Sequence, residues 1–236
     1  MKISRNTLGT SQSSDTGIQV GSGVRDATIT TNYVVTNDSP GIVVNGAANT
    51  VVDSNTVTTQ CGAGITLSGA STGSTVENNI VDTAVNTTPE SACSAEPNSI
   101  EVDADATSGT VADYNLIDPN SGGPLYDWAG TTYSNLSAFT STTSQGSHDI
   151  AADPDLSSQF NQNGLDLTED SPAIDSADAN APGELSTDIL GNARVDDPQV
   201  ANTGTGVGYY DRGTPEATSS CKWPGRAGCP RTHRPS

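Results

Sequence analysis

The sequence predicts an all-β chain wound as a single parallel β-helix, a solenoid of short stacked strands with an irregular C-terminal capping region. Two recurring patterns predict it. One reads aliphatic-x-x-Asn-x-aliphatic and appears as Ile3-Ser-Arg-Asn6-Thr-Leu8, Ile29-Thr-Thr-Asn32-Tyr-Val34, Val52-Asp-Ser-Asn55-Thr-Val57 and Val76-Glu-Asn-Asn79-Ile-Val81. The other reads Gly-Ile-x-aliphatic and appears as Gly17-Ile-Gln-Val20, Gly41-Ile-Val-Val44 and Gly64-Ile-Thr-Leu67, then as a variant, Ser99-Ile-Glu-Val102. The asparagines stand 26, 23 and 24 residues apart and the glycines 24 and 23. Two markers that keep one period in the twenties, with only short β-branched segments inside each unit, mark a solenoid. A leucine-rich repeat would need several leucines per unit, which this chain lacks. Composition is the third observation: 4% aromatic residues, 32% hydrophobic residues and 24 glycines suit a narrow core of Ile, Val and Ala.

Each strand alternates apolar with polar residues, so Ile18 and Val20, Ile42 and Val44, Ile65 and Leu67, and Ile100 and Val102 are expected to face an interior. The residues between them form an outward strip. Coil on coil, Glu101 is expected above Thr66, Val43 and Gln19, and Asp103 above Ser68, Asn45 and Gly21. The asparagines Asn6, Asn32, Asn55 and Asn79 are expected at the bend, where the side chain tolerates a left-handed backbone and stacked amides bond along the axis.

Four coils and the start of a fifth fill residues 1–117. The fourth is longer, because Asn79 and Asn115 are 36 residues apart. An insertion at about 85–97 accounts for the excess, and such insertions map to loops on one face. After Asn115 the phase is expected to break at Pro119, Gly122, Gly123 and Pro124. Residues 118–213 then form a cap, with Tyr126, Trp128, Tyr133 and Phe139 plugging the open end of the solenoid. Ser134 or Asn135 is expected to cap a short helix carrying Leu136 and Phe139 on one face. Residues 214–236 form a basic Pro/Gly-rich tail that is expected to be poorly ordered.

The formal net charge is −19. It is uneven, since residues 1–220 hold five basic and 28 acidic side chains, a net of −23. Such a body repels nucleic acid and anionic membrane, so neither is expected as a partner. No apolar run approaches 18 residues, so no membrane insertion is expected. Strand pattern begins as early as Ile3, without a cap, so the chain is expected to be a monomer or the C-terminal part of a longer protein. Cys61 and Cys93 precede the same strand in adjacent coils and are either a disulfide or two buried thiols. Cys221 and Cys229 lie in the tail. A bridge would point to an extracellular or cell-surface location.

The repeats, together with Asp113-Tyr-Asn115, Ala152-Asp-Pro154, Leu165-Asp-Leu167, Ser171-Pro-Ala-Ile-Asp175 and Asp188-Ile-Leu-Gly191-Asn-Ala-Arg194, resemble bacterial secreted right-handed parallel β-helix proteins of the pectate-lyase-like kind. The resemblance covers roughly residues 3–213, and Val207-Gly-Tyr-Tyr-Asp211 is a looser match to the family's closing strand. It implies a right-handed coil and a polysaccharide partner. The end motifs also read as structural turns, with Asp188 and Arg194 expected to pin one loop as a pair.

The chemistry is expected on the outward strip. Strand alternation places Glu101, Asp103 and Asp105 on one face, and hard cations such as Ca²⁺ take several oxygen ligands of this kind. The resemblance implies Ca²⁺ as well. Gln19, Asn45, Thr66, Ser68, Glu101 and Asp103 are the candidate carbohydrate contacts. A lyase acting on uronates needs a metal or basic groups and a base, yet only Lys2, Arg5 and Arg25 fall in the repeats, and His148 reads as a structural loop residue. A complete active site is therefore not expected in this chain, and lyase or glycoside-hydrolase activity of a longer parent stays open. The alternative is a non-catalytic, adhesin-like surface solenoid.

Overall fold

The computed structural model describes residues 1–9, 15–83, 93, 96–119, 123–157 and 166–217. The tail from residue 218, with Cys221 and Cys229, most of the 85–97 insertion, Gly122 and Leu165 lie outside them. Three parallel sheets form the solenoid. The first stacks β1 (Lys2–Ser4), β4 (Thr28–Thr30), β7 (Val51–Asp53), β10 (Thr75–Glu77) and β13 (Val111–Asp113). The second stacks β2 (Thr7–Gly9), β5 (Tyr33–Thr36), β8 (Thr56–Thr59), β11 (Ile80–Asp82), β14 (Leu116–Asp118) and β17 (Ile150–Ala151). The third stacks β3 (Ile18–Val20), β6 (Ile42–Asn45), β9 (Ile65–Ser68), β12 (Ile100–Val102), β15 (Tyr126–Trp128) and β16 (Thr131–Tyr133).

The chain visits the sheets in turn, and alternation decides what each strand buries. Ile29, Val52, Val76 and Ala112 point inward from the first sheet, and Val34, Val57, Val81 and Ile117 from the second. Ile42, Val44, Ile65, Leu67, Ile100 and Val102 complete the core from the third. All of these are fully buried. Each buried Val, Leu or Ile side chain contributes about 1.5–3 kcal/mol relative to exposure. The glycine before each of β3, β6 and β9 follows from this core. A Cβ on Gly17, Gly41 or Gly64 would lie 2.3 Å from Cγ1 of Val34, Val57 or Val81 of the next coil.

The asparagine ladder forms as expected. Asn6 donates its Nδ2 to Oδ1 of Asn32 at 2.9 Å, Asn32 to Asn55 at 2.9 Å, Asn55 to Asn79 at 3.0 Å and Asn79 to Asn115 at 3.0 Å. The backbone N–H of each also reaches the next Oδ1. The left-handed conformation does not fall on these asparagines, however. It falls on the residue before each, Arg5, Thr31, Ser54, Asn78 and Tyr114, with φ between 51° and 58°. The asparagine side chain must turn along the axis to bond its neighbour, so the sharp bend is taken one residue earlier.

Two expectations about the C-terminal half need correction. The phase does not end at Asn115, since β15 pairs with β12 in register, Ile100 to Tyr126 and Glu101 to Asp127. β14 likewise stacks on β11, and β17 on β14. Only then does the end close: β16 returns antiparallel on β15, and helix α1 (Leu136–Thr143), capped by the Asn135 side chain at Ala138 N, lays Phe139 over the core. Phe139 stacks on Tyr126 with ring centroids 3.8 Å apart, and Trp128 and Tyr133 meet it edge-on. The aromatic plug is thus present.

The segment from about 171 to 217 does not extend the end. It runs back along the side of the solenoid as a strap over the bend between the first and second sheets. Tyr114 bonds Thr205, Asn78 bonds Asp178 and Glu184, Ser54 bonds Glu184, Thr30 bonds Gly183, and Arg5 bonds Thr187 and the Asp188 carbonyl. Ala173 covers the outward Ile80 and Leu116 of the second sheet. Asp188 and Arg194 do not pair as expected. Asp188 accepts from Leu190 N, Asn192 N and Asn192 Nδ2 and so pins its own loop. Arg194 is fully buried within the strap between Glu184 and Glu216, each at 2.9 Å, and donates also to the carbonyls of Leu185 and Asp211. Two acidic side chains buried beside it require that compensation, whereas Asp188 is already satisfied by local donors.

Candidate functional site

The outward face of the third sheet is built as the alternation requires. Gln19, Val43, Thr66, Glu101 and Asp127 stack in one register column, and Asn45 pairs with Ser68 in a second. Strand spacing of about 4.8 Å separates successive members. Gln19 and Asn45 are exposed, while Thr66, Ser68, Glu101 and Asp127 are half-buried. The Asp103 N–H continues the ladder to the Leu67 carbonyl at 2.9 Å, which sets Asp103 beside Ser68 at the strand end, exposed.

Asp105 does not join this face. β12 ends at Val102, and the chain turns back with Ala106 N bonded to the Asp103 carbonyl at 2.9 Å. Ala104 is exposed instead of inward, and Asp105 sits on the turn. Alternation stops there because a turn has no two-residue period. Asp127 takes the place that reading missed, directly beside Glu101. The signal for it is in the sequence: Tyr126-Asp-Trp128 repeats the alternation of Ile100-Glu-Val102, 26 residues on.

Burial is the main reason that the Glu101 carboxyl titrates above the usual range, and the charges of Asp103 and Asp127 add to it. The three carboxylates therefore share one field with no cation beside them. The described basic residues lie elsewhere: Lys2 on β1, Arg5 at the bend, Arg25 after β3, and Arg194 and Arg212 in the strap. His148 is fixed against Asp113, with Nδ1 at 2.8 Å from Oδ2, and stacks on Tyr114. Among the described residues no group of three or more His, Cys, Asp and Glu is arranged to hold a metal. Of the expected calcium ligands, Asp105 stands on the turn, apart from Glu101 and Asp103.

Beside the strip, Cys61 and Cys93 form a disulfide with their Cα atoms 5.3 Å apart. It ties the 85–97 insertion, described here at Cys93 and from Glu96 on, to the preceding coil. Cys93 Sγ also lies 3.2 Å from the Gln60 carbonyl. Thr66 Oγ1 and Gln60 Nε2 are buried without a hydrogen-bonding partner among the described residues.

No helix among the described residues is long and apolar enough to cross a membrane. No match to this chain is found among curated proteins or among solved structures. One family model does match, described as a right-handed β-helix region, over residues 1–139. With parallel sheets, a stacked aliphatic core and an asparagine ladder already in place, the chain belongs to the right-handed β-helix family.

Proposed function

We propose that the chain is an extracellular polysaccharide-binding β-helix domain that contacts its glycan along the outward strip of the third sheet. One observation carries this reading. The column Gln19, Thr66, Glu101 and Asp127, interrupted by Val43 and flanked by Asn45, Ser68 and Asp103, is a mostly polar track held in strand register. Hydroxyl, amide and carboxylate groups at a fixed spacing of about 4.8 Å suit the repeated hydroxyls of an extended sugar chain. The excess of carboxylates favours a neutral glycan over a uronate polymer, unless Ca²⁺ bridges the two. The disulfide fits an oxidising compartment.

The test is binding of the chain to a panel of plant and bacterial polysaccharides with and without Ca²⁺, with Asp103→Ala as control. Binding that weakens in the variant supports the reading, and binding only with Ca²⁺ assigns a bridging cation. No binding to any member favours the second reading, a non-catalytic adhesin-like solenoid. That reading draws on one observation, the absence of any basic side chain from the described third-sheet strands.

A further inference from the structure

The outward face of the first sheet carries a second acidic column, and the strap lies over it. Thr30, Asp53, Glu77 and Asp113 stand in register on β4, β7, β10 and β13. Asp113 is compensated by His148 and Ser147 and by the backbone N–H groups of Tyr114 and His148. Glu184, which the strap brings in, is compensated by Arg194, Asn78 and Ser54. Asp53 is different. It is fully buried, Oδ1 accepts a single bond from Asn78 Nδ2 at 3.1 Å, and Oδ2 has no partner among the described residues. Facing Asp53 are Glu77 on the next strand and Glu184 and Arg194 in the strap. Facing Glu77 are Asp178 in the strap, Asp113 on the next strand and Asp149 ahead of β17. Both carboxyls are thus shut between like charges, and the strap supplies more acid than base.

We propose that the strap is a proton-operated latch, docking over Asp53 and Glu77 when these carboxyls carry protons and loosening from the bend when they ionise. Burial, then the neighbouring acids, holds Glu77 up at about 7 when the strap is docked. Burial, then Glu184, holds Asp53 well above the usual range. With the strap away, both return toward the ordinary carboxylate values of about 4. Docking therefore takes up a proton at each group from solvent. Because the docked values are raised, the stabilisation is complete below about pH 4, and the Glu77 part is lost as pH rises through 7. Asp175, Asp211 and Glu216, inside the strap, are raised as well, and only the differences between wild type and variants isolate Asp53 and Glu77.

The readout is amide exchange at Asp178 and Gly213, whose N–H groups bond Asn78 Oδ1 and the Asn78 carbonyl at 2.8 Å each and so report docking. Ile65 N, bonded to the Ser99 carbonyl inside the third sheet, is the core reference. After correction for intrinsic exchange, the opening constant at Asp178 and Gly213 should rise up to about tenfold per pH unit for each proton released between pH 5 and 7, with Ile65 unchanged. Glu77→Gln should flatten that slope by one proton. Asp53→Asn with Glu77→Gln should keep both amides protected at pH 8, and Glu77→Gln alone suffices if the double variant does not fold. Equal wild-type protection at pH 5 and pH 8, an unchanged slope in Glu77→Gln, or loss of protection at Ile65 together with the strap would each overturn the latch.

Discussion

Asp149 accepts the backbone N–H of Asn115 at 2.7 Å, the bond that the next asparagine makes in every coil below. Its other oxygen accepts the Tyr126 hydroxyl at 2.6 Å. The ladder thus ends on a carboxylate that has no coil above it to serve. Asp149→Ala leaves two buried donors without this acceptor, at about 1–3 kcal/mol each. Asp149→Asn keeps an acceptor and should cost less in urea denaturation; equal losses in the two variants would refute the terminating role. Burial lifts Asp149 to about 6 despite both bonds. Its raised value makes its contribution to stability fall as pH rises through 6, and Asp149→Asn should remove that component.

Arg194→Ala should be among the most damaging single changes in the strap. It leaves Glu184 and Glu216, each with only 3% of its side chain exposed, buried without their ion pair. Breaking a buried pair from one side costs about 3–5 kcal/mol. Asp188→Ala, which removes bonds within one loop, should lower the melting temperature less. The reverse order would restore the Asp188–Arg194 pairing that the sequence suggests.

Reducing or removing the Cys61–Cys93 bridge frees a loop of 32 residues of sequence separation. The chain-entropy cost is about 4 kcal/mol. Cys61→Ser with Cys93→Ser should therefore lower stability in a denaturant titration, and reductant should reproduce the shift in the wild type only.

Glu101 reports the field of the strip. Its raised titration has two charged causes after burial, Asp103 first and Asp127 second. Asp103→Asn should move the Glu101 midpoint down in an NMR titration, and Asp127→Asn should move it down by less. A midpoint that ignores both substitutions would show that these carboxylates do not share one surface.

Much of the solenoid was legible because each coil repeats its contacts. Gly17, Gly41 and Gly64 mark the same close approach to Val34, Val57 and Val81, so one steric demand leaves three copies in the sequence. The column Gln19, Val43, Thr66 and Glu101 followed from register alone. Asp127 was hidden because Tyr126 and Trp128 replace the aliphatics that define the pattern. Asp105 was misplaced because β12 stops at Val102, and nothing in alternating residues says where a strand ends.

By itself the sequence determined the period, the inward and outward faces and the asparagine ladder, since a solenoid bonds each coil only to its neighbours and near-neighbour bonds recur at a fixed spacing. Only the tertiary structure decided what covers the bend. Ser54 meets Glu184 across 130 residues and Arg5 meets Asp188 across 183. Such contacts occur once, at no period, and their energetics depend on which carboxyls the strap buries together. Spacing cannot encode that; the folded path of the chain does.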